Sequence, residues 1–289
     1  MQYAYAGQGD LFTGPAPEMK RAKAPGPVGR HGRIHVGTSG YSFEDWVGPF
    51  YPRGTQRNRM LNEYVRHFGV VEINATYYRI PSANMFARME EKTPDGFEFI
   101  VKLYKGMTHD IEDDADMYQR FTSAVEPLKR VGKFGGYLAQ FPWRFRQGDR
   151  EMRHIESLRD RLKGAPLFVE FRHDSWIGRE TFEFLKEHGV GYCSVDEPGL
   201  RGLVPPVAAA TTDTAYVRFH GRNTKNWWGR GGDRYDYDYS TDELGEWVEK
   251  LTKLEERTKR VYAFFNNCHA GHAARNAEIM VEMLGEELA

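Results

Sequence analysis

The chain has 289 residues, 40% of them hydrophobic and 28% charged, with a formal net charge of −1 at pH 7. That length admits one barrel-sized domain or two ordinary ones, with enough core to fold without disulfides or metal. The near-zero charge excludes a global attraction to nucleic acid or membranes, so any anion site has to be local. No apolar run approaches the length a membrane helix needs. The opening residues lack the charged-then-apolar order of a secretory signal. The two cysteines, Cys193 and Cys268, form no CxxC pair. A reducing, cytoplasmic setting is therefore expected, and a zinc-finger or disulfide scaffold is not.

Residues 1–32 carry Gly14-Pro15-Ala16-Pro17 and Pro25-Gly26-Pro27 without apolar periodicity, the pattern of a mobile tail. Residues 33–289 read differently. Eight short runs rich in apolar, β-branched and aromatic residues recur there: Ile34–Ser39, Val70–Thr76, Phe97–Leu103, Gly136–Phe141, Leu167–Phe171, Val190–Asp196, Ala215–His220 and Val261–Asn267. Helical spacing fills the gaps at Arg57–Phe68, Ser82–Lys92, Ala115–Arg130, Met152–Leu162, Arg179–His188, Thr241–Thr258 and His272–Leu288. Ser82 is a natural N-cap and Gly189 a natural stop. The sixth connection, Glu197–Asp213, is rich in Pro and Ala and is expected to hold no full helix. Eight strand–helix alternations predict an α/β fold, a single (β/α)₈ TIM barrel. The competing open, doubly wound sheet wants a glycine-rich phosphate loop, which Gly37-Thr38-Ser39-Gly40 does not match.

Side chains two apart share a face of a strand. Near the C-terminal ends of the runs this groups Glu72 with Asn74, Glu170 with Arg172, Ser194 with Asp196, and Arg218 with His220, and adds Lys102, Gln140 and Asn266. Seven of the eight strands thus place polar groups where a barrel holds its active site. Each pair taken alone could be an internal ion pair, but their convergence on one end favours a site. Lys102, Arg172 and Arg218 suit a phosphate or carboxylate. Glu72, Glu170 and His220, with Asp196, are the acid–base candidates; Gln140, Asn74 and Asn266 would orient substrate. A divalent metal on Glu72, Glu170, Asp196 and His220 is open, although the interleaved cations oppose it. His173, His269 and His272 read as solvated loop histidines. Cys268 reads as a small buried hydrophobe more readily than as a nucleophile.

Two aromatic segments flank these strand ends. Tyr41, Trp46, Phe50 and Tyr51 follow the first run and would shape the pocket, with Tyr41 as a substrate contact. The stretch after the seventh holds Trp227, Trp228, Tyr235, Tyr237 and Tyr239 among Arg222, Lys225, Arg230 and Arg234. This second cluster is expected outside the core, either with Trp228 stacking on a base or sugar while the cations hold a phosphate, or as a loop packing its own aromatics.

The same blocks carry a family resemblance. Gly37-Thr38-Ser39-Gly40-Tyr41, Val71-Glu72-Ile73-Asn74-Ala75-Thr76-Tyr77-Tyr78-Arg79, Gln140-Phe141-Pro142, Val169-Glu170-Phe171-Arg172-His173, Arg218-Phe219-His220-Gly221-Arg222 and Phe265-Asn266-Asn267 occur in order. In these the chain resembles the YecE-like family, also called domain of unknown function seventy-two, from about residue 34 to 284. Trp143 departs from the pattern, where the family usually continues with proline. The resemblance implies a TIM barrel and no settled activity.

A further resemblance lies in the tail. Gln8-Gly9-Asp10-Leu11-Phe12 is similar to the short peptide by which bacterial polymerases and repair proteins dock on the sliding clamp. Leu11 and Phe12 would fill an apolar pocket while Gln8 bonds at its rim and Asp10 takes the polar position between. Alternatively the Leu-Phe pair pins the tail to the barrel. Three functions stay open: a hydrolase or lyase on a phosphate-bearing, nucleotide or nucleic-acid substrate; an enzyme on a small sugar or sugar acid; or a non-catalytic module binding nucleic acid or the clamp.

Overall fold

The computed structural model describes residues 29–229 and 232–287. Eight parallel strands close on themselves: β1 Ile34–Ser39, β2 Val70–Ile73, β3 Glu98–Lys102, β4 Phe134–Gln140, β5 Leu167–Glu170, β6 Gly191–Asp196, β7 Thr214–Phe219 and β8 Arg260–Phe265. Each pairs with the next, and β1 pairs with β8 from Ile34↔Val261 to Thr38↔Phe265, which seals the barrel. The result is the single-domain TIM barrel expected from the alternation. A two-residue strand, Arg30–His31, runs antiparallel to β1. The ladder therefore begins inside the segment whose composition reads as tail.

Helices α1 Met60–Tyr64, α2 Ala83–Glu91, α3 Lys105–Thr108, α4 Ala115–Ala124, α5 Glu126–Arg130, α6 Asp149–Arg161, α7 Arg179–Glu187, α8 Thr241–Arg257 and α9 His272–Glu287 pack around it. Ser82 caps α2 by accepting from the Met85 amide. The single helix expected over Ala115–Arg130 is two. Pro127 cannot donate a backbone hydrogen bond, so the chain breaks at Val125 and restarts with Pro127 in the first turn of α5. The connection from 197 to 213 contains no helix.

The strands are buried along almost their whole length, as parallel strands covered on both faces must be. The barrel interior is filled by aromatic rings: Phe168 on Tyr216 at 4.7 Å and Tyr216 on Phe264 at 5.3 Å. Below this plug, at the N-terminal end, the Tyr262 hydroxyl donates to Glu98 Oε2 at 2.7 Å while His35 lies 3.6 Å from the same oxygen. Above it is the C-terminal mouth.

Candidate functional site at the barrel mouth

Arg218, on β7, is 1% exposed, the largest charged side chain fully buried among the described residues. Its Nη1 donates to Glu170 Oε2 of β5, and its Nη2 donates to Glu72 Oε1 of β2 at 2.7 Å and to Ser39 Oγ of β1 at 3.3 Å. Tyr216, two residues before Arg218 and so on the same face, donates its hydroxyl to Glu72 Oε2 at 2.6 Å. One guanidinium thus ties three strands together across the barrel axis. Both carboxylates are fully buried, a placement that is stable only with such pairing.

A second set sits around Glu170 Oε1. Arg172 Nε lies 2.5 Å from it and His220 Nε2 lies 3.2 Å from it. These three atoms and Arg218 Nε are buried yet form no aligned hydrogen bond. The Asn266 side-chain nitrogen is 3.0 Å from His220 Nδ1; donation there leaves the imidazole proton on Nε2, facing Glu170. Burial, with help from the Arg172 charge, lowers the His220 pKa to about 3, so the ring is neutral at physiological pH. Burial alone would raise the Glu170 carboxyl, but Arg172 and Arg218 overrule it and hold it well below its ordinary range.

Two groups at this mouth titrate near neutrality. Lys102, half-buried at the end of β3, donates to Gln140 Oε1 at 2.9 Å and lies 4.8 Å above the Tyr77 ring. Desolvation and the nearby Arg218 charge push its ammonium down to about 7. Glu197, directly after β6, accepts from Arg172 Nη1 at 3.2 Å and from the Val204 amide at 3.1 Å. Burial raises it to about 8 against the pull of Arg172. The site therefore pairs an amine eased toward its neutral form with a carboxyl eased toward its protonated form.

Of the residues expected here, Glu72, Glu170, Arg172, Arg218, His220 and Asn266 are linked by ion pairs and hydrogen bonds, while Lys102 and Gln140 form a separate hydrogen-bonded pair whose ammonium senses the charges of that cluster. Asn74, at the end of β2, is buried with its Oδ1 free of any hydrogen bond among the described residues. Asp196 stands apart. Its carboxylate accepts from Arg222 Nη2 at 2.8 Å, the Tyr239 hydroxyl at 2.7 Å and the Trp247 indole at 2.6 Å, so it braces α8 and the loop after β7. The reason lies in strand parity. On β6, Ser194 and Asp196 face outward, Ser194 towards the Ala209 backbone. Cys193 and Glu197 belong to the face that senses Glu170. The same alternation would have selected Glu197 had the inward face been known.

Tyr41 packs between Tyr51, whose hydroxyl donates to its carbonyl at 2.6 Å, and the Tyr64 ring. The aromatic cluster after β7 divides, contrary to expectation. Trp227 and Tyr239 are buried, and the Arg172 guanidinium lies 5.9 Å from the Trp227 ring, which roofs the mouth. Trp228 stays exposed and meets Trp143 edge-on at 5.8 Å. The motif Gln8, Asp10, Leu11 and Phe12 lies outside the described residues.

Comparison with known proteins agrees with this architecture. The family model described as "Protein of unknown function DUF72" matches residues 35–289. The chain is 32% identical over 272 residues to UPF0759 protein YunF of Bacillus subtilis, covering 88% of this chain and 95% of that one. It is 30% identical over 188 residues to UPF0759 protein YecE of Escherichia coli, 64% of each chain. Among solved structures, a DUF72 family protein from Thermotoga maritima superposes with a TM-score of 0.81 at 42% identity, over 87% of this chain and 99% of that one.

Proposed function

This chain belongs to the DUF72 family, and we propose that its barrel mouth is the active site of an acid–base enzyme, a hydrolase or lyase acting on a small phosphate-bearing substrate. The observation that carries the proposal is a pair of ionisable groups held in the mouth: Lys102, bonded to Gln140 at 2.9 Å and lowered to about 7, and Glu197, bonded to Arg172 at 3.2 Å and raised to about 8. Two groups whose environments bring them to opposite protonation states at working pH are what proton transfer requires. Lys102 takes a proton from substrate and Glu197 returns one to a leaving group. Arg172 and the neutral His220 Nε2–H receive developing negative charge. Arg218, with both terminal nitrogens occupied, holds Glu170 and Glu72 in place.

The buried Trp227 above Arg172 supports a nucleotide-sized substrate over a polymer threaded through the mouth. The test is thermal-shift binding of nucleotides and sugar phosphates to wild type, Lys102→Met and Glu197→Gln, followed by product analysis of any ligand that stabilises the wild type. Stabilisation by phosphorylated compounds, with turnover lost in both variants while binding survives in Glu197→Gln, supports the proposal. Equal stabilisation by the unphosphorylated sugars assigns the site to neutral sugars and overturns it. The Gln8–Phe12 motif supports recruitment of this enzyme to the bacterial sliding clamp. A chain lacking residues 1–28 that still pulls down the clamp would remove that part.

A further inference from the structure

We propose that Asp236, His269 and His272 form a binding site for one divalent transition-metal ion on the rim of the barrel, separate from the buried charges of the mouth. His269 Nδ1 lies 3.0 Å from Asp236 Oδ1, and His272 Nε2 lies 3.5 Å from the same oxygen; one ligand atom from each residue falls within 4.8 Å of the other two. Ligands around a tetrahedral ion at about 2.0–2.1 Å stand about 3.3 Å apart, so the three need little movement to close on a metal.

The backbone explains why they converge. After β8 the chain turns through Ala270, at φ 48° and ψ 28°, and Gly271, at φ 79°. Two successive positive φ values reverse the chain so that His269 and His272 present their rings side by side, 6.0 Å between centroids. Ala270 is held there by its amide, which donates to Asp45 at 2.7 Å. A non-glycine residue held in this conformation marks a turn that the surroundings enforce. Asp236 comes from the other side, on the loop after β7, where Asn223 donates to its carbonyl at 3.1 Å.

Two observations point to a ligand. The His269 side chain is 41% exposed, but its Nδ1 atom is shielded from solvent and makes no aligned hydrogen bond among the described residues. On the far side of His272, Nδ1 faces Asp238 Oδ1 at 3.6 Å, and Asp238 is fixed by Asn276 at 3.0 Å. A carboxylate behind a ligating imidazole orients the ring and makes its outer nitrogen a better donor. Arg275 also reaches His272 Nδ1, at 2.6 Å, and Asp238, at 2.7 Å; in the metal-bound state its guanidinium serves Asp238 alone. Two imidazoles and one carboxylate suit Zn²⁺, Co²⁺ or Fe²⁺ and leave coordination positions open to a solvent or substrate oxygen.

The test uses tag-free full-length protein, stripped with chelator and titrated with Co²⁺ and with Zn²⁺. Visible absorption of bound Co²⁺ and calorimetry of Zn²⁺ should both give one site per chain. His269→Gln and Asp236→Asn should each weaken binding at least tenfold, with unchanged thermal unfolding of the metal-free protein. A control variant at the surface histidine His188→Gln should bind as wild type does. Absence of one-site binding in the wild type, or equal affinity in the wild type and both ligand variants, overturns the proposal.

Discussion

Arg218 is the residue on which the mouth depends most. Two fully buried carboxylates, Glu72 and Glu170, rest on its one guanidinium. Replacing it with methionine leaves both without their shared cation, and removing one partner from a buried ion pair costs about 3–5 kcal/mol. Urea unfolding of Arg218→Met should show a loss of that size. Histidines set the acid limit. Burial lowers His35 to about 4, helped by Arg30 and Arg260, and His220 to about 3, while an unfolded histidine titrates near 6.5. Between those values the unfolded chain binds more protons than the folded one. Stability is therefore full above about pH 6.5 and is lost as pH falls, by up to about 1.4 kcal/mol per pH unit for each histidine. Denaturation midpoints measured from pH 7 to 4.5 should fall less steeply for His35→Gln than for wild type.

At the scale of elements, loops decide more than helices do. α8 begins in a capping box in which the Ser240 side chain accepts from the Glu243 amide and the Glu243 side chain accepts from the Ser240 amide. Ser240→Ala should cost about 1 kcal/mol in unfolding experiments, the usual value for an N-cap. The turn after β8 works in the opposite sense. Ala270 sits in left-handed conformation, disfavoured by about 1–2 kcal/mol for a residue with a Cβ, so Ala270→Gly should raise stability by about 1 kcal/mol. Gly221, at φ +90°, has no such latitude. A Cβ there would stand 2.6 Å from Tyr237 Cβ, and the loop that carries Trp227 over the mouth would have to shift.

Across the whole molecule, the barrel is one core with no thiol at its surface. Cys193 and Cys268 are both buried and burial raises both thiols above their ordinary range. An aromatic disulfide reagent at pH 8 should find neither promptly in the folded protein and both in denaturant. Reaction of either cysteine at the global unfolding rate would show that the barrel opens as a unit. The closure that hides them was legible beforehand: eight apolar runs at regular spacing became eight strands, with ends displaced by a few residues. The polar groups at their C-terminal ends were legible too, because Glu170 with Arg172 and Arg218 with His220 follow from alternation alone. The lowered pKa of Lys102 was not, since it comes from desolvation beside other cations that no local pattern reports.

Taken by itself, the amino-acid order determined the strand count, the helical gaps and the set of charges gathered at one end. All of these are consequences of periodicity over fewer than twenty residues. Tertiary structure decided which face of β6 looks inward. A strand covered on both sides carries no polar alternation to mark its inner face, and so Asp196 went to α8 while Glu197 entered the mouth. Tertiary structure also brought Asp236 to His269 and His272, more than thirty positions apart. Only the closing of β7 against β8 and the left-handed turn at Ala270 place two loop histidines around one carboxylate.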